Sequence, residues 1–149
     1  MFGLTTSAGE VLVLPSKKLH PTTEDWMNMV PHVYNFLRAS YPTRRSYTLL
    51  LDGEKILRTP EAAAVMAEHG LRVLPNWPAH SPDLNPQESM WAWAEPRLRK
   101  AEKKADSFAV FKRRVIAVCK KYPAPQKLVL GLAQRIATCL VRRGAHVGK

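Results

Sequence analysis

Thr48-Leu49-Leu50-Leu51 is a short uncharged run that ends at Asp52. A strand with one face in water alternates apolar and polar residues. An unbroken run of this kind reads as a central strand buried on both faces. A helix start comes next. Thr59 can cap, Pro60 takes the first helical position, and Glu61 puts an acid in the first turn. Ala62–Glu68 carries that helix, and His69-Gly70 supplies a glycine to end it. Leu71–Leu74 is then a second short strand. Strand, helix and strand in this order point to an α/β fold.

The rest of the chain extends the pattern. Met1–Thr5 and Glu10–Leu14 flank Ser7-Ala8-Gly9, which predicts a β-hairpin. Thr22 or Thr23 can cap a helix with Glu24 and Asp25 in its first turn, and Trp26, Met29, Val30, Val33 and Leu37 recur at helical spacing. Pro31 within it predicts a kink or a late start. Pro75–Pro86 is a proline-rich polar loop, and a further helix opens at Asn85-Pro86. Trp91, Ala94, Leu98 and Ala101 form its apolar stripe, with a kink or break expected at Pro96. Two more helices are expected over 107–121 and 125–142. Their core faces would be Phe108, Phe111, Val115 and Val118 in the first, and Leu128, Leu132, Ile136 and Leu140 in the second.

Composition narrows the class. The chain has 149 residues, of which 46% are hydrophobic, which argues for a packed core and against wholesale disorder. No apolar run approaches the roughly 18 residues that span a bilayer, and Met1-Phe2-Gly3 has no basic leader, so a soluble intracellular or nuclear protein is expected. Cys119 and Cys139 stand apart in apolar stretches and read as buried free thiols. The five histidines show no zinc spacing. The net charge of +11 is lopsided. Residues 1–94 hold 8 Lys+Arg against 9 Asp+Glu, a net of −1, and residues 95–149 hold 15 against 3, a net of +12. A one-sided excess of this kind suits a polyanion, with nucleic acid the leading candidate and a solvated basic face the plain alternative.

Two acids sit where chemistry could use them. Asp52 closes the buried run, at the kind of strand end where α/β sheets gather ligands, although Asp-Gly is also a common turn pair. Glu88 lies three residues after Asn85, the spacing of a capping box, and three before Trp91, on the inward stripe. Two carboxylates brought together would repel each other unless a divalent cation joined them.

The words around Glu88 carry a resemblance. Asn76-Trp77-Pro78-Ala79-His80-Ser81-Pro82-Asp83-Leu84-Asn85-Pro86-Gln87-Glu88-Ser89-Met90-Trp91 resembles the W-P-x-x-S-P-D-L-N-P-I-E-x-x-W signature of mariner-type DDE transposases, with Gln87 in place of the usual isoleucine. In that family the glutamate is the third catalytic acid, which maps to Glu88. The second ends a hydrophobic strand, as Leu51-Asp52 does, commonly as D-N-x-P-x-H-T. Positions 53 to 87 separate the two acids here, one residue more than is usual in the family. Gly53 replaces the asparagine, and Arg58-Thr59 falls where His-Thr is expected. The opening hairpin resembles the family's W-G-x-x-x-x-G strand pair.

The resemblance covers about residues 1–100, which it implies to be a partial DDE catalytic domain of ribonuclease H-like fold, a mixed sheet flanked by helices. Residues 101–149 would be a basic helical extension. It implies a site in which Asp52 and Glu88 hold Mg2+ or Mn2+ for DNA cleavage and strand transfer. The family's first aspartate lies on a strand that would precede Met1, so the chain as given is expected to lack a first strand and to be catalytically dead or nearly so. The partners implied are DNA and a possible second copy. The charged residues expected on DNA are Arg97, Arg99, Lys100, Lys103, Lys104, Lys112, Arg113 and Arg114. The alternative is a non-catalytic basic nucleic-acid-binding protein, which explains the charge but leaves the motif unexplained.

Overall fold

A computed structural model describes residues 2–16, 18, 20–78, 81–101, 107–145 and 147. Among these the elements are β1 (Phe2–Thr5), β2 (Val11–Leu14), α1 (Thr23–Ser40), β3 (Tyr47–Leu49), α2 (Pro60–Glu68), β4 (Leu71–Val73), α3 (Pro86–Ala101), α4 (Phe108–Cys119) and α5 (Pro125–Val141). The chain is thus a mixed α/β protein. It forms two compact units: Ser16–Ser81, and Phe2–Pro15 together with Pro82–Lys149. No helix among the described residues is long and apolar enough to cross a membrane.

In the first unit, α1 starts at a complete capping box. The Thr22 hydroxyl accepts from the Asp25 amide, and the Asp25 carboxylate accepts from the Thr22 amide. The helix runs through Pro31 and buries Trp26, Val30, Val33 and Leu37, with Met29 half-buried. It packs on α2 and on a 3₁₀ turn at Lys55–Leu57. Thr59 caps α2 by accepting from the Ala62 amide at 3.2 Å, and Pro60 opens it. Gly70 ends the segment at φ +67°, a left-handed conformation that suits glycine. It leads into β4, which lies parallel to β3, with Tyr47, Thr48 and Leu49 opposite Leu71, Arg72 and Val73.

The strand is shorter than the apolar run suggests. It stops at Leu49 rather than reaching Asp52. The last rung is the Leu74 amide donating to the Leu49 carbonyl at 2.8 Å. The chain then turns at Pro75-Asn76, where Asn76 takes φ +56°, so the partner strand veers off and Leu50 and Leu51 leave the ladder. Leu51 is nonetheless buried.

In the second unit, β1 and β2 pair antiparallel across a turn in which Gly9 takes φ +87°. β1 and β2 pack on α3 and α4 respectively, and α5 lies against β1 and α3. Val13, Leu84, Met90, Ala94, Val115, Cys119 and Leu128 form the core. Helix α3 continues through Pro96 without the expected break. Pro96 and Ala92, whose carbonyl loses its partner, are both exposed, so water can replace the missing bond. Met90 and Ala94 hold the opposite side in the core. Trp91 and Leu98 are half-buried, and the side chain of Ala101 lies outside the described residues.

Two core expectations are corrected. In α4, Phe108 and Phe111 are 46% and 37% exposed; burial sets in only from Val115, with Cys119 on the same face. In α5, Leu128 is buried, Leu132 and Ile136 are half-buried, and Leu140 is 73% exposed. Four-residue steps on a helix advance about 40° each, so a 128-132-136-140 stripe turns about 120° away from where it began. Cys139 is also only half-buried, whereas Cys119 is fully covered. Among the described residues the strands make two separate two-stranded sheets.

Candidate metal and nucleic-acid site

Asp52 lies three residues beyond β3, in the turn that leads to α2, and is half-buried. Its Oδ1 accepts from the Glu54 amide at 3.2 Å, the side-chain-to-backbone bond of an aspartate turn. The turn expected of Asp-Gly therefore exists, and it engages one carboxylate oxygen. The other has no hydrogen-bond partner among the described residues. Arg58 folds back over the same turn. Its Nε donates to the Asp52 carbonyl at 3.0 Å and its Nη2 to the Leu51 carbonyl at 2.8 Å.

Glu88 occupies the first turn of α3 and is half-buried. The capping box expected of Asn85 and Glu88 does not form. The Asn85 side-chain oxygen accepts instead from the Gln87 amide at 3.0 Å. One residue nearer, that donor is reached without the reciprocal bond from Glu88. The Glu88 carboxylate then has no hydrogen-bond or ion-pair partner among the described residues. It borders an open groove of about 360 Å³ with Trp91, Leu98 and Phe111, in which Glu95 pairs with Arg99 at 2.6 Å.

The residue before Glu88 is pinned. Gln87 Oε1 accepts from the Thr5 hydroxyl at 3.0 Å, and Gln87 Nε2 lies 3.6 Å from the Met90 sulfur. Gly3, across on β1, leaves the room for this. A Cβ there would fall 2.5 Å from Gln87 Nε2 and 2.7 Å from the Trp91 ring. Thus the polar residue that departs from the motif is a bonded link between β1 and the head of α3. Sequence reasoning missed that link; the glycine of the hairpin was its one visible trace.

The two acids belong to different units, Asp52 to Ser16–Ser81 and Glu88 to the other. Among the described residues no group of three or more His, Cys, Asp or Glu side chains is gathered to hold a metal ion. The donors themselves suit a hard divalent cation. Each acid keeps carboxylate oxygen free of protein partners among the described residues, and Mg2+ and Mn2+ favour such ligands.

The basic residues divide by what already engages them. Arg97 lies over the Trp93 ring at 3.9 Å and donates to the Trp93 carbonyl at 2.8 Å, and Arg99 holds Glu95. Lys112 sits 4.2 Å over the Phe108 ring. Lys100 and Arg113 are exposed, with no carboxylate partner among the described residues. Arg114 is half-buried. Consecutive helical positions are about 100° apart, so Lys112, Arg113 and Arg114 cannot all face one phosphate backbone. Lys103 and Lys104 lie outside the described residues.

Comparison with curated proteins finds no match for the chain. A family model, that of the DDE superfamily endonuclease, matches residues 16–112. The matched stretch takes in Asp52, Arg58, the whole Asn76–Trp91 motif and Glu88, and spans well over half of the sequence. Members of that family generally use divalent metals and bind DNA. This chain belongs to the DDE superfamily endonuclease family.

Proposed function

We propose that this chain is a mariner-type member of the family, a transposase catalytic domain of ribonuclease H-like fold in which Asp52 and Glu88 share a divalent cation. Residues 1–100 make up the partial catalytic domain and 101–149 its basic helical extension. The observation that carries the reading is Glu88. It fills the acid position of the Asn76–Trp91 motif, and its carboxylate is left without a protein partner among the described residues at the head of α3.

Each group has a role in this reading. Asp52 and Glu88 present oxygen ligands from a turn and from a helix start. A bound Mg2+ or Mn2+ would supply an activated water or 3′-hydroxyl and stabilise charge developing on the phosphodiester. Lys100 and Arg113 neutralise backbone phosphates and set the DNA in register without reading its bases. Arg97, Arg99 and Lys112, partly engaged by their own helices, and the half-buried Arg114 add to the field more than to direct contact. Lys103 and Lys104 belong to the same basic stretch. The resemblance implies three acids, and two bind a metal pair less well than three, so residues 1–149 alone are inactive or nearly so. The working environment is the nucleus or another intracellular compartment holding DNA, and a second copy is a further partner.

The test is Mn2+ binding by the 149-residue chain, monitored by relaxation enhancement of water protons. Asp52→Asn and Glu88→Gln should each weaken binding at least about tenfold, and the double variant should do little more than either alone. Wild-type affinity in both single variants, or fully additive losses, would mean that the two acids do not share an ion.

A further inference from the structure

We infer that Arg58 is the positioning residue for Asp52: its guanidinium fork holds the two carbonyls that fix where the carboxylate points. The inference rests on the reading of Asp52 as a metal ligand, and the binding experiment separates the two.

The need for such a device comes from the sheet. Because β4 gives way to a turn at Pro75-Asn76, β3 ends at Leu49, and the backbone carrying Asp52 leaves the ladder. A ligand on an unpaired segment would sample many directions, and each would dilute its affinity for an ion. Arg58 replaces the missing rungs. Nε donates to the Asp52 carbonyl at 3.0 Å and Nη2 to the Leu51 carbonyl at 2.8 Å. The guanidinium is planar, so two bonds to successive carbonyls fix the turn in orientation as well as in position. With Oδ1 tied to the Glu54 amide, Asp52 is held at its main chain and at one side-chain oxygen, and the other oxygen is left for a ligand.

The base of the clamp is itself fixed. The Arg58 amide donates to the Lys55 carbonyl at 3.1 Å, Leu57 beside it is buried, and Thr59 after it caps α2. Arg58 thus reaches from the start of a packed helix back to the end of a strand. A lysine here could offer one ammonium point but not a fork. A neutral imidazole could offer one donor.

The experiment compares Mn2+ binding, by paramagnetic broadening of the amide signals of residues 52–54, in the wild-type chain, Arg58→Ala, Arg58→Lys, Asp52→Asn and Thr59→Ala. Amide exchange at Glu54 is measured alongside. Thr59→Ala loosens the cap of α2 without touching Asp52, and so serves as the control for general loss of stability. The expected result is an approximately tenfold loss of Mn2+ affinity in Arg58→Ala, as for other residues that orient a metal ligand. The Glu54 amide should exchange faster in that variant, Arg58→Lys should recover part of the loss, and Thr59→Ala should bind as wild type. If Asp52→Asn abolishes binding while Arg58→Ala leaves it unchanged, the positioning role is overturned and the metal site stands. If Arg58→Ala and Thr59→Ala lose affinity alike, the effect is one of stability and the role is again overturned. If Asp52→Asn binds as wild type, the assignment of Asp52 fails and takes the role of Arg58 with it.

Discussion

Gly3→Ala is a one-methyl test of how the head of α3 is held. The added Cβ would lie 2.5 Å from Gln87 Nε2 and 2.7 Å from the Trp91 ring, both closer than carbon atoms tolerate. Two responses are open. Gln87 can swing away, which sacrifices its bond from Thr5 and costs about 0.5–1.5 kcal/mol. The Trp91 ring must also tilt, an overpacking cost of about 1–3 kcal/mol. Against these, alanine restricts the unfolded chain and returns about 0.4–1 kcal/mol. The net expectation is a destabilisation of about 2 kcal/mol, which for a chain of this size lowers Tm by about 4–8 °C. A urea titration followed by tryptophan fluorescence and by circular dichroism measures it. The decisive arm is a double-mutant cycle with Gln87→Ala. Removing the amide should relieve part of the clash, so the two changes should couple by about 1 kcal/mol. A neutral Gly3→Ala, or costs that add within about 0.3 kcal/mol, would show that Gln87 is not what the missing methyl accommodates.

Three further outcomes are expected. Bonds from the backbone and side chain of Thr22 hold the Asp25 carboxyl below its ordinary value of 3.8; this contribution to stability is present above the unfolded pKa and is lost as pH falls through the lower folded one. Thr22→Ala should therefore move the Asp25 titration, read by NMR, back up toward the ordinary value and flatten the acid limb of the stability curve. Burial raises the Cys119 thiol above its ordinary 9.0, while Cys139 is half-exposed, so a thiol reagent at neutral pH should label Cys139 quickly and Cys119 only on unfolding; Cys139→Ser should abolish the fast phase. In DNA binding, Arg113→Ala should reduce the slope of log affinity against log salt by about 1, and Arg99→Ala by less because Glu95 already holds that guanidinium.

The elements legible in the sequence were those marked by their own ends. Thr22 with Asp25, Thr59 with Pro60, and Gly70 each perform locally the bond or the φ that their residue type suggests. What depended on a partner far along the chain was read less well. Nothing in Thr48–Leu51 announces that its neighbour stops at Pro75, so the run reads as a strand reaching Asp52. Phe108 and Phe111 lie on the correct face of α4, but only packing decides how far along a helix burial extends. The candidate site divides in the same way. The motif offered Glu88 as a candidate and the apolar run offered Asp52, because both readings depend on residue order. The fork of Arg58 and the link from Thr5 to Gln87 depend on side chains separated by 6 and 82 positions, and residue type alone did not reveal them.

The second unit is sewn from both ends of the chain, and this sets an order of assembly. On the ribosome the hairpin Phe2–Leu14 emerges ahead of residues 16–81, and α3, α4 and α5, which cover it, come only after them. Residues 16–81 can close around Val30 and Met66 as soon as they are free of the exit tunnel. Until α5 appears, Val13 and its neighbours must wait uncovered, with strand edges open to other chains. The yield of folded protein should therefore be governed by how quickly α3, α4 and α5 are synthesised, and slow codons within residues 86–141 should cost more soluble product than slow codons placed earlier.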